Sequence, residues 1–81
     1  MYTVYVLRSL KNWKRYVGYT GQKVQARLRQ HNNGRSRWTA QNGPFEVLHT
    51  EQFAGKDDAR QREKFLKSGQ GRQELDVLLS R

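Results

Sequence analysis

The hydrophobic residues of this chain follow two different spacings, which together predict short strands and amphipathic helices. The segments rich in β-branched and aromatic residues, which predict strands, are Tyr2–Arg8, Arg15–Thr20 and Phe45–Phe53. The connection between the first two is short and polar around Trp13, which favours an antiparallel hairpin. Period two places Tyr5 on the face of its strand opposite Val4 and Val6.

Helical spacing predicts three helices, at Gln22–Asn33, from the entrance Gly55-Lys56-Asp57 to about Lys67, and at Arg72–Ser80. Asn33-Gly34 is the predicted stop of the first helix, and Asp57 is the predicted N-cap of the second. Residues 35 to 43 are polar and lack periodicity, which is typical of a loop. The prediction is one α/β domain of the α+β type over residues 1–81. It has a small three-stranded antiparallel sheet flanked by helices, in the order β-β-α-β-α-α.

Length and composition exclude several classes of protein. A chain of 81 residues without cysteine supports one modest core and has neither disulfides nor a thiolate zinc site. His31 and His49 are too few and too far apart in sequence to suggest a zinc cage. Without an apolar run near 18 residues, we expect a soluble cytoplasmic protein that does not act at a membrane.

Charge is distributed unevenly and points to an anionic partner. The formal net charge is +9, and the first 45 residues carry nine Lys and Arg side chains but no acid, since the seven carboxylates begin at Glu46. Tyrosine and tryptophan are interleaved with these cations, and cations neutralise phosphates while flat rings stack on bases. Nucleic acid is therefore the expected partner, with DNA as first choice. The basic residues assigned to this contact are Lys11, Lys14, Arg15, Lys23, Arg35 and Arg37.

A carboxylate on the second long helix needs a partner. Glu63 lies between the apolar Ala59 and Leu66 at helical spacing, so it belongs on or beside the face that packs against the sheet. An unpaired charge there is expensive. Two interpretations remain open: an ion pair with Arg62, Lys67 or an arginine of the first helix, or a ligand for a hard divalent ion completed by water and substrate phosphate.

The order of several short motifs is more specific than any one of them. Thr3-Val4-Tyr5 is followed after ten residues by Tyr16-Val17-Gly18, then by Arg27-x-x-x-His31, and finally by Glu63 in a helix. This series resembles the paired tripeptides and the following motifs of the GIY-YIG nuclease family, in its small single-domain bacterial form. The resemblance spans essentially the whole chain.

The resemblance implies a metal-dependent endonuclease that hydrolyses phosphodiester bonds, structure-selective rather than sequence-selective, in repair or recombination. By position, Glu63 would hold Mg²⁺ or Mn²⁺ and Arg27 would contact the same phosphate. Tyr5 would be the general base towards the attacking water, Tyr16 would hydrogen-bond or position beside it, and His31 would accept or orient a tyrosine hydroxyl. Only a small fraction of a free phenol is ionised at neutral pH, but Arg27, a metal ion and the basic hairpin all favour phenolate, and His31 could carry the proton onward. Activity is therefore expected to rise through the alkaline range.

Some positions depart from the family pattern. Many relatives carry an asparagine in the last helix, whereas no Asn follows Asn42 here, and Gln70, Arg72 and Gln73 are the candidate replacements. The first alternative is therefore a nucleic-acid-binding module that keeps the fold without turnover. The second is a basic adaptor for an acidic protein, in which the paired tyrosines have no role.

Overall fold

The computed structural model of the protein describes residues 1–34 and 37–79, which form one sheet and its flanking helices. The strands are β1 (Tyr2–Ser9), β2 (Arg15–Thr20) and β3 (Phe45–Phe53). The helices are α1 (Val24–Asn32), α2 (Arg37–Asn42), α3 (Lys56–Leu66) and α4 (Gly69–Leu79). Within the described residues, none of these helices has the length and apolar composition needed to cross a membrane.

The sheet is antiparallel, with the strand order β2-β1-β3. Tyr5 in the central strand pairs with Gly18 in β2 and with Thr50 in β3. The register of β1 against β3 shifts once, between Val6 and Leu7. The predicted α+β fold, its hairpin and its three strands are confirmed, and β2 is left as an edge of the sheet.

Both faces of the central strand are covered, as its consecutive apolar residues 4–7 require, since successive side chains point to opposite faces. One core cluster contains Val4, Val6, Val17, Ala59, Leu66 and Leu75, and so joins the sheet to α3 and α4. The other contains Tyr5, Leu7 and Phe45, with Tyr16, Val24, Leu28 and Val47 packed against it, and so joins the opposite face to α1. The two catalytic candidates Tyr5 and Glu63 therefore come from opposite sides of the sheet.

α1 is shorter than predicted at both ends, since it stops at Asn32 with Asn33 as its C-cap. The helix begins at Val24, two residues after the predicted Gln22, and its N-cap Lys23 makes no side-chain capping hydrogen bond. At the other end Gly34 has φ 72°, the left-handed conformation predicted for the stop, and its N–H donates to the carbonyl oxygen of His31 at 3.0 Å.

A short helix occupies the segment predicted as a loop. The helix α2 buries two polar residues, Thr39 and Asn42, which are 3% and 9% exposed. The Ser9 hydroxyl donates to the Asn42 carbonyl oxygen, and Asn12 Nδ2 donates to Asn42 Oδ1 at 2.7 Å. These bonds tie α2 to the β1–β2 turn. Because its buried positions are polar, hydrophobic spacing gives no signal for this helix.

The two C-terminal helices each begin earlier than predicted. The N-cap of α3 is Gly55 rather than Asp57, so that Asp57 and Asp58 both lie in the first turn, where the helix dipole favours carboxylates. α4 begins at Gly69 rather than Arg72, and the Ser68 hydroxyl accepts a hydrogen bond from the N–H of Gly71 at 3.1 Å. A Cβ on Gly71 would lie 2.0 Å from the Phe65 carbonyl oxygen. This glycine permits close helix packing, whereas its sequence context suggests a loop.

An ion-pair network fastens α3 and α4 to β3. Arg62 Nε donates to Glu51 Oε1 at 2.8 Å, and its Nη2 donates to Glu51 and Glu74. His49 Nε2 lies 2.8 Å from the second oxygen of Glu51. The hydrogen bond from Arg62 lowers the pKa of Glu51, against the opposing effect of burial. The charged form of Glu51 is therefore favoured by folding.

We expect Glu51→Gln to reduce the free energy of unfolding at neutral pH by about 1–3 kcal/mol, because it leaves Arg62 without its bidentate acceptor. Since the folded-state pKa of Glu51 is lowered, its contribution is present above the ordinary glutamate value of about 4.3. It is lost as the pH falls below that value towards the folded-state pKa. Urea unfolding of the two proteins at pH 7 and pH 3 would measure this.

The matched control is Glu46→Gln, which removes a more exposed partner of Arg8 on the same strand. It should cost less than about 1 kcal/mol at either pH. Equal losses for the two variants at pH 7 would contradict the role given to the Arg62 network.

Candidate active site

A cavity of about 440 Å³ lies beside the edge strand β2, where helices from the two sides of the sheet approach each other. We call it the Glu63 cavity. Its lining includes the hydroxyl groups of Tyr2, Tyr5, Tyr16, Tyr19 and Thr20, the charged groups of Arg27, Lys56 and Glu63, and the glycines Gly18 and Gly21. Four of the five predicted catalytic residues thus line one cavity, and the fifth, His31, lies directly behind it.

The Tyr5 hydroxyl is the centre of a hydrogen-bonded group. Its oxygen lies 3.0 Å from His31 Nε2 and 3.4 Å from Arg27 Nε. A guanidinium N–H can only donate, so the hydroxyl accepts from Arg27. In the His31 tautomer that carries its proton on Nδ1, Nε2 accepts the proton of the hydroxyl. The spacing of Arg27 and His31, four residues apart on α1, brings both to the same hydroxyl.

Gly18 gives the tyrosine its position. A Cβ at this residue would lie 2.5 Å from the Tyr5 hydroxyl oxygen and 2.6 Å from Cζ. The ring of Tyr5 therefore crosses the backbone of β2 at the one residue without a side chain. Any larger residue at position 18 would displace the hydroxyl from its partners.

Burial sets the protonation of this group. It raises the pKa of Tyr5, and this effect exceeds the lowering by the hydrogen bond and charge of Arg27. It also lowers the pKa of His31, helped by the charge of Arg27. From the sequence, the neighbouring cations are expected to favour the phenolate form of Tyr5. Arg27 acts in that direction, but the net result at neutral pH is a protonated Tyr5 beside a neutral His31 that can accept.

Tyr16 and Glu63 complete the wall of the cavity. The ring of Tyr16 meets the His31 ring edge-on, with centroids 4.9 Å apart. The Glu63 side chain is 18% exposed, and its Oε2 accepts from Lys67 Nζ at 3.3 Å, which is one of the ion pairs anticipated for it. The two residues are one helical turn apart at the end of α3, and Glu63 still lines the cavity.

Several other predicted residues lie elsewhere. Lys14 and Arg15 line a second cavity on the other side of Tyr16, while Lys11, Lys23 and Arg37 are exposed outside both cavities. Arg35 lies outside the described residues. Of the proposed replacements for the last-helix asparagine, Arg72 lines the second cavity, whereas Gln70 and Gln73 line neither.

Sequence reasoning missed one cation in the Glu63 cavity. Lys56 is the first residue of α3 and lines the cavity. Its spacing of seven residues from Glu63 places the two side chains on the same helix face, two turns apart. The seven-residue spacing could have indicated that Lys56 lies on the same face as Glu63. In the sequence-based prediction, Lys56 is instead assigned to the entrance of the helix.

Residues 1–75 match the family model of the GIY-YIG catalytic domain. The chain belongs to the GIY-YIG family. A UPF0213 protein of Oceanobacillus iheyensis is 39% identical over 61 residues, covering 74% of this chain and 69% of that protein. A UPF0213 protein of Clostridium perfringens is 32% identical over 79 residues, covering 96% and 83% of the two chains.

A solved structure supports the same assignment. The solution NMR structure of a UPF0213 protein from Bacillus halodurans is similar with a TM-score of 0.57 and 30% identity, covering 96% of this chain and 85% of the other. The GIY-YIG domain has a nuclease-type fold, and nucleases of this family generally use divalent metals. The resemblance expected from the sequence is confirmed at the level of family and fold.

Proposed function

We propose that this GIY-YIG protein is a divalent-metal-dependent endonuclease that hydrolyses phosphodiester bonds in DNA. We further propose that it selects nucleic-acid structure rather than sequence, as a repair or recombination nuclease does. The observation that carries the proposal is the meeting of Tyr5, Arg27 and Glu63 at one cavity, from three different elements. A proton acceptor, a phosphate-binding cation and a carboxylate are the groups that metal-assisted hydrolysis requires.

The proton path follows from the direction of the hydrogen bonds. As Tyr5 takes a proton from the attacking water, it passes its own proton to His31 Nε2, 3.0 Å away. Burial and the Arg27 charge lower the pKa of His31, which keeps the ring neutral and able to accept at neutral pH. The two residues act as a relay, so a free phenolate need not accumulate.

The substrate phosphate is held by cations at the same cavity. Arg27 is fixed by Gln30, whose Oε1 accepts from Arg27 Nη1 at 2.8 Å, as well as by Tyr5. A guanidinium held in this way binds phosphate oxygens at little further entropic cost. Lys56 adds a second positive charge to the cavity. Together these cations attract the phosphate and stabilise the negative charge that grows during hydrolysis.

The donor set fits a hard divalent ion. The described residues contain no group of three or more acidic or histidine side chains suited to a closed metal cage. Mg²⁺ usually keeps several waters and is bound through one or two carboxylates together with substrate phosphates. Glu63, partly buried and facing the cavity, is such a single carboxylate. When bound there, the ion would supply Lewis-acid stabilisation of phosphate and leaving-group oxygens.

The relay makes a prediction about pH that differs from the alkaline rise expected from the sequence. Because neutral His31 is the acceptor, the single-turnover rate should fall as the pH drops through a pKa below the ordinary histidine value of about 6.5. It should be flat between pH 7 and pH 9, because the pKa of Tyr5 is raised above its ordinary range. Rates across pH 5 to 10, with chemistry shown to be rate-limiting, measure this.

His31→Gln is the informative variant for the relay, because an amide oxygen accepts a hydrogen bond but not a proton. Its rate should then depend on phenolate and rise about tenfold per pH unit between 7 and 9. A wild-type rate that already rises in this way would exclude the relay and restore the phenolate mechanism.

One observation favours a second function, which is nucleic-acid binding without turnover. Neither Gln70 nor Gln73 lines the Glu63 cavity, so no amide of α4 replaces the asparagine of other family members there. Against this interpretation stands Glu63, because a carboxylate facing the phosphate would oppose binding unless a cation accompanied it.

The experiment that tests the proposed function is cleavage of labelled duplex, single-stranded and branched DNA, and of the matching RNAs, with Mg²⁺, Mn²⁺ or EDTA. We expect cleavage with metal and none in EDTA, and faster cutting of DNA than of RNA. Arg27→Ala, purified identically, controls for contaminating nucleases and should lose at least about 100-fold in rate. Binding of all substrates without cleavage of any would favour the binding module.

A further inference from the structure

A second, larger cavity adjoins the Glu63 cavity and has no role in the chemistry described above. It has a volume of about 630 Å³, within the range of about 300–1,000 Å³ that is typical of ligand sites. We call it the Trp13 cavity; its polar and aromatic lining residues are Trp13, Lys14, Arg15, Tyr16, Lys67 and Arg72. Tyr16 lines both cavities, and the ion pair of Lys67 with Glu63 spans the boundary between them.

The charge of the Trp13 cavity is strongly positive. Four cations line it and no carboxylate does. Arg15 is paired with Asp76 on α4, and Lys67 is paired with Glu63. Among the described residues, neither Lys14 nor Arg72 forms an ion pair, and both are exposed. Two uncompensated cations beside an aromatic wall favour a ligand that carries both phosphates and flat rings.

Trp13 is displayed at the β1–β2 turn rather than packed in the core. Its surface is 61% exposed, and its backbone has φ 65°, an uncommon conformation for a tryptophan. The Arg8 guanidinium lies over the ring, 4.5 Å from its centroid, and Arg8 is itself held by Glu46. Arg8 thus covers part of the ring while most of its surface faces solvent. An exposed indole next to phosphate-binding cations is suited to stacking on a base.

We infer that the Trp13 cavity binds a single-stranded segment of the nucleic-acid substrate, next to the phosphate that is cut. One base would stack on Trp13, and Lys14 and Arg72 would contact flanking phosphates. A single strand is indicated because a base inside a duplex is stacked on both of its faces and offers neither to a side chain. The inference rests on the proposed function, since it deepens it by naming the substrate: a duplex that carries a single-stranded extension or flap.

The test measures binding without cleavage, in EDTA, by fluorescence anisotropy. A DNA hairpin with a blunt end is compared with the same hairpin carrying a six-nucleotide 3′ or 5′ extension. Wild-type protein should bind one of the extended hairpins at least about fivefold more tightly than the blunt one. Trp13→Ala and Arg72→Ala should lose that gain, whereas Trp13→Phe should keep most of it.

Matched controls separate the cavity from general surface charge. Leu10→Ala removes a 48% exposed apolar side chain from the same turn, and Arg60→Ala removes an exposed arginine from α3; neither residue lines either cavity. Both variants should keep the gain from the extension. Arg72→Ala should also reduce the salt dependence of binding to the extended hairpin by about 0.7 in the slope of log K against log salt.

Equal binding of blunt and extended hairpins would overturn the inference, as would losses in Trp13→Ala and Arg72→Ala no larger than those in the two controls. The outcome is independent of turnover. A protein that prefers the extension but cuts nothing would refute the proposed function and leave the Trp13 cavity assigned. A protein that cuts both hairpins alike and binds them equally would refute only the role inferred for the Trp13 cavity.

Discussion

Replacing Glu63 by glutamine should lower the single-turnover cleavage rate by at least about a thousandfold, because metal-assisted stabilisation of phosphate is worth several kcal/mol. The substitution keeps the size of the side chain and removes its charge. Glu63 is 18% exposed, with Lys67 as its ion-pair partner, so the loss of the pair itself should alter stability little. The rate would be measured at saturating protein with Mg²⁺ and with Mn²⁺.

Binding provides a second readout for the same variant. In EDTA, Glu63→Gln should bind DNA about two- to fivefold more tightly than wild type, since one negative charge no longer faces the phosphate. The complex of DNA with the variant should also have lost a bound Mn²⁺, which electron paramagnetic resonance detects. Lost activity together with strengthened binding is the pattern expected for a metal ligand rather than for a structural carboxylate.

The control for Glu63→Gln is Asp57→Asn, which removes an exposed charge from the first turn of the same helix outside both cavities. Its rate should stay within about twofold of wild type, as is usual for a surface substitution of small energetic effect. If Glu63→Gln cut DNA at a comparable rate, the ion pair with Lys67 would be the sole role of Glu63. Glu63 would then not be the metal ligand, and cleavage would need another explanation than metal bound at the Glu63 cavity.

The second large effect is expected at Tyr5. Tyr5→Phe keeps the ring, which is 1% exposed and fills the core, and removes the hydroxyl that contacts His31 and Arg27. We expect the rate to fall by at least about 100-fold, the usual scale for a general acid–base group. The free energy of unfolding should fall by only about 1–2 kcal/mol, because the buried His31 loses its hydrogen-bond donor.

Gly18→Ala tests the position of the same hydroxyl without removing it. Its Cβ would lie 2.5 Å from the Tyr5 oxygen, so the ring must shift and the contact with His31 is lost. The rate should fall to a similar extent as in Tyr5→Phe. Gly69→Ala is the control, because its Cβ meets nothing within 4 Å at the first residue of α4.

Two results would contradict the assignment of Tyr5. If Tyr5→Phe cut at the wild-type rate while Tyr16→Phe did not, the proton relay would belong to Tyr16. If Gly18→Ala were as active as Gly69→Ala, the position of the hydroxyl would be unimportant for turnover.

The local sequence pattern was sufficient to predict an element where the buried residues are hydrophobic. The three strands and the left-handed stop at Gly34 follow from alternation and from turn chemistry that act over a few residues. Patterns fail where the buried groups are polar or where glycine is used for close contact. α2 is fastened to the β1–β2 turn through the polar residue Asn42, and the glycine at position 71 lies inside a helix interface.

The family, the sheet and the candidate set Tyr5, Tyr16, Arg27, His31 and Glu63 could be predicted from the chain alone, because motif order and spacing are properties of the sequence. The tertiary structure sets how these side chains meet. It brought the Tyr5 hydroxyl to within 3.0 Å of His31 Nε2, a partner 26 residues away along the chain. It also reversed the expected pKa of Tyr5, because desolvation depends on what covers the ring. Lastly, it brought Trp13, Lys67 and Arg72 to one cavity, since residues from the turn and from both sides of the α3–α4 junction become neighbours only when the chain is folded.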